Sequence, residues 1–427
     1  WLDWAIIQMS MPRHVRFVMD RGIYEKWYLK IFLDFFQVIP ISPRRVKDAA
    51  EKVNALLNAG EVVCIFPEGA ISRTGQLGEF KHGFELMAKN ADAVILPFYL
   101  RGMWGSKFSR SSSHFKESNK ASKRKIVVAY SEPLAINSTT ARVKQKVFEL
   151  SFSSWELYTQ SLPSMQEAWI DTAKKMKNAF CMADSKGEVM SYLKVLTATI
   201  IFSRFIRKEP AQNIGLLMPT TSVGAMLNMA TLMTGKTVVN LNYTASVDAL
   251  RSAIEKAEIQ TIYTAKLFIS KLKAKGVDTD EILGSSKVVY LEELKNDISK
   301  LNGIRTFLMA RLLPVFLIKL MYIKKVPNDE VATILFSSGS EGEPKGVMLT
   351  HRNVMSNVKQ IADVLNMHEK DVILASLPLF HAFGLTATTW LPLLEGIPMV
   401  AHPDPTDAVG VGKAVAKFQA TVMFGTS

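Results

Sequence analysis

Residues 333–353 read TILFSSGSEGEPKGVMLTHRN. The apolar run that enters this stretch, Ala332 to Phe336, has the length and composition of a strand. Ser337, Ser338, Gly339, Ser340, Glu341, Gly342, Glu343, Pro344, Lys345 and Gly346 follow, and the apolar pattern resumes at Val347, Met348 and Leu349. Glycines let a backbone approach an anion closely, and successive N–H groups can converge on it. The serine hydroxyls add donors, and Lys345 adds a compact positive charge. A strand leading into such a loop is suited to cradle phosphates. The same composition also suits a plain hairpin turn. A Walker-type loop is excluded, because it sets Lys directly after its second Gly and before Ser or Thr, whereas Lys345 stands between Pro344 and Gly346.

Taken whole, the string resembles the signature loop of the AMP-forming acyl-activating enzymes, Ser/Thr-Ser-Gly-Ser/Thr-x-Gly-x-Pro-Lys-Gly. The resemblance implies that Ser337, Ser338, Gly339, Ser340, Glu341, Gly342, Lys345 and Gly346 bind ATP, with Mg2+ bridging its phosphates. Glu341 stands where many relatives have Thr, which implies either proximity to Mg2+ or an outward-turned side chain. A second block, Ala375 to Gly384 (ASLPLFHAFG), resembles the region of these enzymes that lines the acyl and adenylate pocket, with His381, Phe383 and Gly384 as its local members. A lone histidine beside aromatics is more often a satisfied core residue; its place about 36 residues after Lys345, within this block, gives it the pocket role. Upstream, Asn213–Pro219 (NIGLLMP) and 235–242 (GKTVVNLN) read as strands around a helix from Gly224 to Met233, as at the start of such enzymes.

The first third of the chain carries a different chemistry. Val15–Met19, Val62–Phe66 and Val94–Leu100 read as strands. Residues 24–36 and 45–58 read as helices, the second amphipathic through Val46, Ala49, Val53, Leu56 and Leu57. Phe66-Pro67-Glu68-Gly69, then Phe80-Lys81-His82-Gly83, then 94–102 (VILPFYLRG) resemble successive blocks of the glycerophosphate and lysophospholipid acyltransferases. By that resemblance Glu68, Gly69 and Arg73, with Lys81 nearby, bind the phosphate region of the acceptor. Residues 38–45 (VIPISPRR) occupy the place of another block, with Arg44 or Arg45 as the phosphate-binding arginine. The family's catalytic motif is His, four residues, Asp. Asp3 takes the aspartate's place, and the histidine, a general base oriented by it, would fall before Trp1. Read alone, Asp3 would be a solvated carboxylate. His14 and His82 lack the motif's spacing.

The composition is consistent with this picture. The chain has 427 residues, 48% of them hydrophobic, enough for two or three domains. Its net charge is +13, from 52 Lys and Arg against 39 Asp and Glu, which suits a phospholipid surface or an acidic carrier. No nucleic-acid-binding motif is present, and no residue is assigned as a metal ligand. Cys64 and Cys181 are far apart with no CxxC spacing, as in a reducing compartment. Lys107, Arg110, Lys116, Lys120, Lys123, Arg124 and Lys125 form a Ser-rich basic run, either a solvated loop or a contact for anionic headgroups or a carrier. Residues 301–326 have five basic residues, no acid and a Leu/Met/Phe/Ile-rich remainder. Their basic residues do not share one helical face, so a half-buried helix kinked at Pro314, or an interfacial segment, is expected. No run reaches the ~18 uncharged apolar residues of a membrane span.

The expected organisation is an α/β acyltransferase-like domain over 1–150, a linker over 151–185, and the N-terminal part of an AMP-forming synthetase α/β domain over 186–427. Trp1 and the interrupted strand at Ser427 read as the ends of an internal fragment. This order resembles the bacterial bifunctional 2-acylglycerophosphoethanolamine acyltransferases/acyl-ACP synthetases. Such enzymes adenylate a fatty acid with ATP and Mg2+ and pass it to acyl carrier protein. They then esterify a lysophospholipid at the cytoplasmic face of the inner membrane. A fusion using coenzyme A with another lysophospholipid, or a silent lipid- or nucleotide-binding scaffold, stands as the alternative.

Overall fold

The computed structural model describes residues 2–425 apart from 43–45, 90, 119–124, 285, 338–343 and 369. The chain divides into two compact units, Trp1–Ser161 and Leu162–Ser427.

The first unit opens with α1 (Asp3–Ser10) and β1 (Val15–Asp20). Asp20 then caps a short helix α2 (Arg21–Tyr24) by accepting from the N–H groups of Gly22 and Ile23. The chain extends at Lys26 and re-enters helix at α3 (Trp27–Phe35), so the single helix expected over 24–36 is two. β2 (Ile39–Ile41), α4 (Val46–Asn58) and β3 (Val62–Cys64) complete a parallel sheet of order β2-β1-β3. After α5 (Gly83–Ala88), the strand expected over 94–100 is split into β4 (Val94–Ile95) and β5 (Phe98–Arg101). Pro97, with no N–H to give a ladder, marks the break. The two pieces pair separately, β4 with β7 (Leu134–Ala135) and β5 with β6 (Val127–Tyr130), both antiparallel. A short α6 (Ser113–Ser118) precedes β6, and the unit closes on the long helix α7 (Thr140–Thr159).

Residues 151–185, expected as a linker, are instead built into the two units. α7 runs through the first part. The second part forms α8 (Met165–Met176) and β8 (Phe180–Asp184), which belong to the second unit. Trp169 on α8 is fully buried, with its ring against Tyr192. Lys174, also buried, donates from Nζ to the carbonyls of Ala310 and Leu313 at 2.7 Å and of Arg311 at 3.1 Å. Ala310 and Arg311 lie in the last turn of α15 (Lys300–Leu312) and Leu313 is its C-cap, where carbonyls have no partner inside the helix.

In the second unit, β10 (Asn213–Leu217), α10 (Ser222–Met233), β11 (Thr237–Asn240), α11 (Val247–Lys256), β12 (Thr261–Thr264), α12 (Lys266–Ala274), α13 (Thr279–Leu283) and β13 (Lys287–Tyr290) alternate strand with helix. With β14 (Val331–Phe336) and β15 (Gly346–Thr350), the described residues form a six-stranded sheet of order β13-β12-β10-β11-β14-β15. Only the β14–β15 edge is antiparallel. Leu250, Ile254, Ile269 and Ile282 from the helices meet Leu217, Val239 and Ile262 from the strands in one core. A second sheet runs β18-β16-β17-β8-β9, from β9 (Met190–Ser191), β16 (Ile373–Ala375), β17 (Met399–Ala401) and β18 (Val422–Met423). Between β16 and β17 the chain makes a π-helix, Gly384–Trp390, continuous with α18 (Leu391–Glu395). α9 (Tyr192–Ile206), α14 (Leu291–Asp297), α16 (Val315–Tyr322), α17 (His351–Leu365) and α19 (Ala408–Phe418) complete the unit.

Two substitutions test this packing. Lys174→Met keeps the apolar stem but leaves three carbonyls unpaired; it is expected to lower the stability of the second unit by about 2–3 kcal/mol, read as a lower urea midpoint. His351, the first residue of α17, is buried, and burial lowers its pKa to about 4. An unfolded histidine binds a proton near pH 6.5, so the unfolded state holds more protons between about pH 6.5 and 4, and stability falls on acidification through that window. Calorimetry of His351→Gln should show a flatter dependence of Tm on pH there than the parent protein.

Candidate functional site

In the first unit, β1 and β3 run parallel, so both leave the sheet at the same end, where ligands of open α/β sheets bind. β3 is followed by Phe66-Pro67-Glu68-Gly69, a tight turn closed by Gly69 N–H on the Phe66 carbonyl. α1 is held beside it because Ile7 packs with Val15, Phe17 and Cys64. The Glu68 carboxylate accepts from Gly78 N–H at 2.9 Å, which closes the loop from 68 to 78. Burial pushes the Glu68 carboxyl up, the Gly78 N–H pulls it down, and the negative charge of Asp3 adds to the upward push. The Asp3 charge thus reaches the Glu68 carboxyl. Gly78 as Glu68's partner had no sequence signal beyond lying in a Gly-containing loop.

Gly69 has φ +64°, and a Cβ there would stand 2.8 Å from Lys81 Nζ. The lysine amine therefore lies against the bare backbone of the turn. Arg73 stands apart. It is exposed on a bend that Ser72 closes by accepting from Gly75 N–H, and Gly75 lies under the Trp104 ring. His14 is exposed; His82 is also exposed and joins Thr140 at 3.0 Å in a contact that ties α5 to α7. Arg101, from the block at 94–102, turns to α7, bonding Ser154 and the Ser151 carbonyl and lying over the Trp155 ring. Arg44, Arg45, Lys120, Lys123 and Arg124 lie outside the described residues.

In the second unit, the signature stretch is a hairpin. Phe336 faces Gly346 across β14 and β15, and Ser337 N–H donates to the Lys345 carbonyl at 3.0 Å, clamping the two stems together. A Cβ at Gly346 would meet the Phe336 ring at 3.1 Å. Lys345 is exposed and Pro344 buried, its carbonyl accepting from Lys256 Nζ at 3.3 Å. The described stems, up to Ser337 and from Pro344 on, are those of a hairpin. Ser338, Gly339, Ser340, Glu341 and Gly342 lie outside the described residues.

The topology brings the second block to the same crest. β14 neighbours β11 in parallel, so their carboxyl ends emerge side by side. Past the end of β11, Tyr243 packs edge-on against Phe380 at 5.0 Å and against Phe268 at 5.0 Å. Past the end of β10, Thr220 Oγ1 donates to the Leu377 carbonyl, and Ser222 N–H donates to Asp184, the last residue of β8. The ends of both sheets thus converge on the turn that carries His381. The His381 imidazole is exposed, and Phe383 stacks edge-on against Phe424. Gly384 is required by space, since a Cβ would lie 2.5 Å from the Pro378 carbonyl. It opens the π-helix, a rare geometry frequent at functional sites. Next to it, Ser376 Oγ, Thr389 Oγ1 and Trp390 Nε1 are buried without a protein partner among the described residues. Burial raises Tyr243 to about 12, which keeps it a neutral donor. Tyr243 was missed in sequence, although an aromatic just past a VVNLN strand end was the available signal.

Known proteins resemble both parts of the chain. The AMP-binding enzyme family model matches residues 169–427, and the acyltransferase model matches residues 1–101. A long-chain-fatty-acid–CoA ligase of Bacillus subtilis is 27% identical over 264 residues, covering 56% of this chain and 46% of that protein. 4-Coumarate:CoA ligase 1 of Petunia hybrida is 34% identical over 102 residues, 23% of this chain and 19% of its own length. The N-terminal domain of FACL13 from Mycobacterium tuberculosis has a similar fold, with a TM-score of 0.50 at 16% identity over 61% of this chain and 62% of that one. The chain spans about half the length of the long-chain ligases it matches. With more than half of its residues matched by the family model, the chain belongs to the AMP-binding enzymes, and it carries an acyltransferase-family domain ahead of that part.

Proposed function

We propose that the protein makes an activated acyl group in its second unit and spends it in its first. The observation that carries this is the pairing itself: one chain holds an AMP-binding enzyme part and, before it, an acyltransferase part. In the activation step, a carboxylate oxygen of a fatty acid attacks the α-phosphorus of ATP, and the bond to the β-phosphate breaks with loss of pyrophosphate. A thiolate, that of acyl carrier protein or of coenzyme A, then attacks the acyl carbon and AMP leaves. In the first unit, a hydroxyl of a lysophospholipid, lysophosphatidylethanolamine in our reading, attacks the thioester and the free thiol leaves.

The transition state of the first step spreads negative charge over phosphate oxygens, so fixed donors and cations aimed at it do most of the catalytic work. Ser337 and Lys345 sit at the stems of the loop that would hold the nucleotide, and the exposed amine of Lys345 would meet its phosphates. Mg2+ bound with the nucleotide would neutralise part of the phosphate charge. His381, Phe383 and Tyr243 would border the acyl and adenylate pocket. In the first unit, Glu68 and Gly69 shape the turn, Lys81 supplies the cation for the acceptor's phosphate, and Asp3 would orient a histidine general base. The setting we infer is the cytoplasmic face of a bacterial inner membrane.

Two substitutions separate the halves in protein expressed at its native length. Lys345→Ala should lower acyl-AMP formation from ATP and a long-chain fatty acid by about 10²–10³-fold, as for loss of one transition-state donor; an unchanged rate would remove the lysine from the activation site. Glu68→Ala should abolish lysophospholipid acylation from preformed acyl-ACP while leaving adenylation intact. Loss of neither would refute the acyltransferase assignment, and acylation from acyl-CoA alone would make coenzyme A the carrier.

A further inference from the structure

α15 is apolar on two sides, and only one of them is covered. Its inner side, Thr306 and Ala310, is buried where the helix packs on α9. On its outer side Leu301 is 76%, Ile304 59%, Leu308 46% and Leu312 73% exposed. At about 100° per residue these four fall within an arc of about 80°. Arg305 lies about 20° beyond one edge of that arc and Arg311 about 20° beyond the other. The basic residues that scatter around the helix in sequence are thus the two borders of one apolar stripe. Past Pro314, α16 also exposes large apolar side chains, Phe316 at 67% and Leu320 at 78%. Six large apolar side chains laid open in one 20-residue segment exceed the scattered single exposures usual on a soluble surface.

We propose that this outer face of α15 and α16 docks the chain onto the interface of an anionic phospholipid bilayer. Residues 300–325 carry Lys300, Arg305, Arg311, Lys319, Lys324 and Lys325 and no acid; Lys319 pairs with Asp171 at 2.8 Å, and the other five make an anionic surface the charge complement. A second copy of the same face would set these cations against one another. An acidic protein would satisfy the charge but not the stripe. A bilayer interface satisfies both: the leucines and Phe316 enter the headgroup–acyl boundary, and the arginines snorkel to the phosphates along its edges. At 13 residues, α15 is about 20 Å long, which suits lying in the interface and not crossing it. Lys174, donating to the carbonyls at the end of α15, and the packing on α9 hold the helix to the body of the unit, so docking would orient that unit. The inference concerns where the protein works and does not depend on the substrates proposed above.

Co-sedimentation of the full chain with vesicles tests it, using phosphatidylcholine alone or with roughly one part phosphatidylglycerol in three. Leu308→Glu combined with Leu312→Glu should lower partition onto the anionic vesicles by about tenfold or more. Arg305→Gln and Arg311→Gln should each lower it about fivefold and leave the weak binding to neutral vesicles unchanged. Unchanged binding of the double glutamate variant would overturn the proposal. So would a wild-type dimer that this variant splits into monomers while vesicle binding stays the same. A fold-independent readout is an environment-sensitive dye on Leu308→Cys, since Cys64 and Cys181 are buried. Its emission should shift to the blue with anionic vesicles, and no shift would contradict the docking.

Discussion

Val239 pairs with Ile334 in parallel register, and the second unit depends on that pairing. It sets β14 beside β11, so that the strand entering the Ser/Gly loop ends at the same crest as the strand leading to Tyr243. Because β15 then returns antiparallel on the outer edge, the loop is tied at both stems, by the Phe336–Gly346 pair and the Ser337–Lys345 bond. Fixed stems of this kind are what the proposed nucleotide-binding role would need, since preorganised donors cost nothing to reorganise during reaction. The second sheet meets this crest through backbone and side-chain bonds at Thr220, Ser222 and Asp184, which bring the turn before the π-helix to the same place.

The first unit uses the same physical device with different residues. Parallel β1 and β3 deliver a helix terminus and a Gly-containing turn to one end of a small sheet. There, Lys81 lies against the backbone of Gly69, and Gly78 N–H holds the half-buried Glu68 carboxylate. In each unit a Gly-containing stretch thus follows the carboxyl end of a strand in a parallel pair. The two turns differ in what surrounds them: acidic groups at Asp3 and Glu68 in the first, aromatics and a packed π-helix in the second.

Much of this was legible in sequence because the signals were local. The strand–loop–strand around Lys345, the FPEG turn after an apolar run, and the alternation from Asn213 to Tyr290 all follow from side-chain period and turn chemistry. The failures were non-local. Residues 151–185 looked like a linker because Trp169 and Lys174 find their partners on α9 and at the end of α15, more than a hundred residues away for the lysine. The run from Leu301 to Val326 looked unpatterned because its two apolar sides cancel; only the packing on α9 tells which side is covered. The Val94–Leu100 strand broke at Pro97 because each half found a different antiparallel partner, a choice made by residues 127–135. Arg101 read as part of a site block, but Ser151, Ser154 and Trp155 hold it to α7.

The central claim is that one protein forms an acyl group by carboxylate attack on the α-phosphorus and then delivers that same group to a hydroxyl. Oxygen tracing tests it most directly. A fatty acid labelled with 18O at both carboxylate oxygens is supplied with ATP, carrier thiol and lysophospholipid, and the products are weighed by mass spectrometry. The account predicts one 18O in the released AMP, none in pyrophosphate, and the other 18O in the ester carbonyl of the phospholipid. Label in inorganic phosphate, or a labelled AMP with no labelled ester, would contradict it.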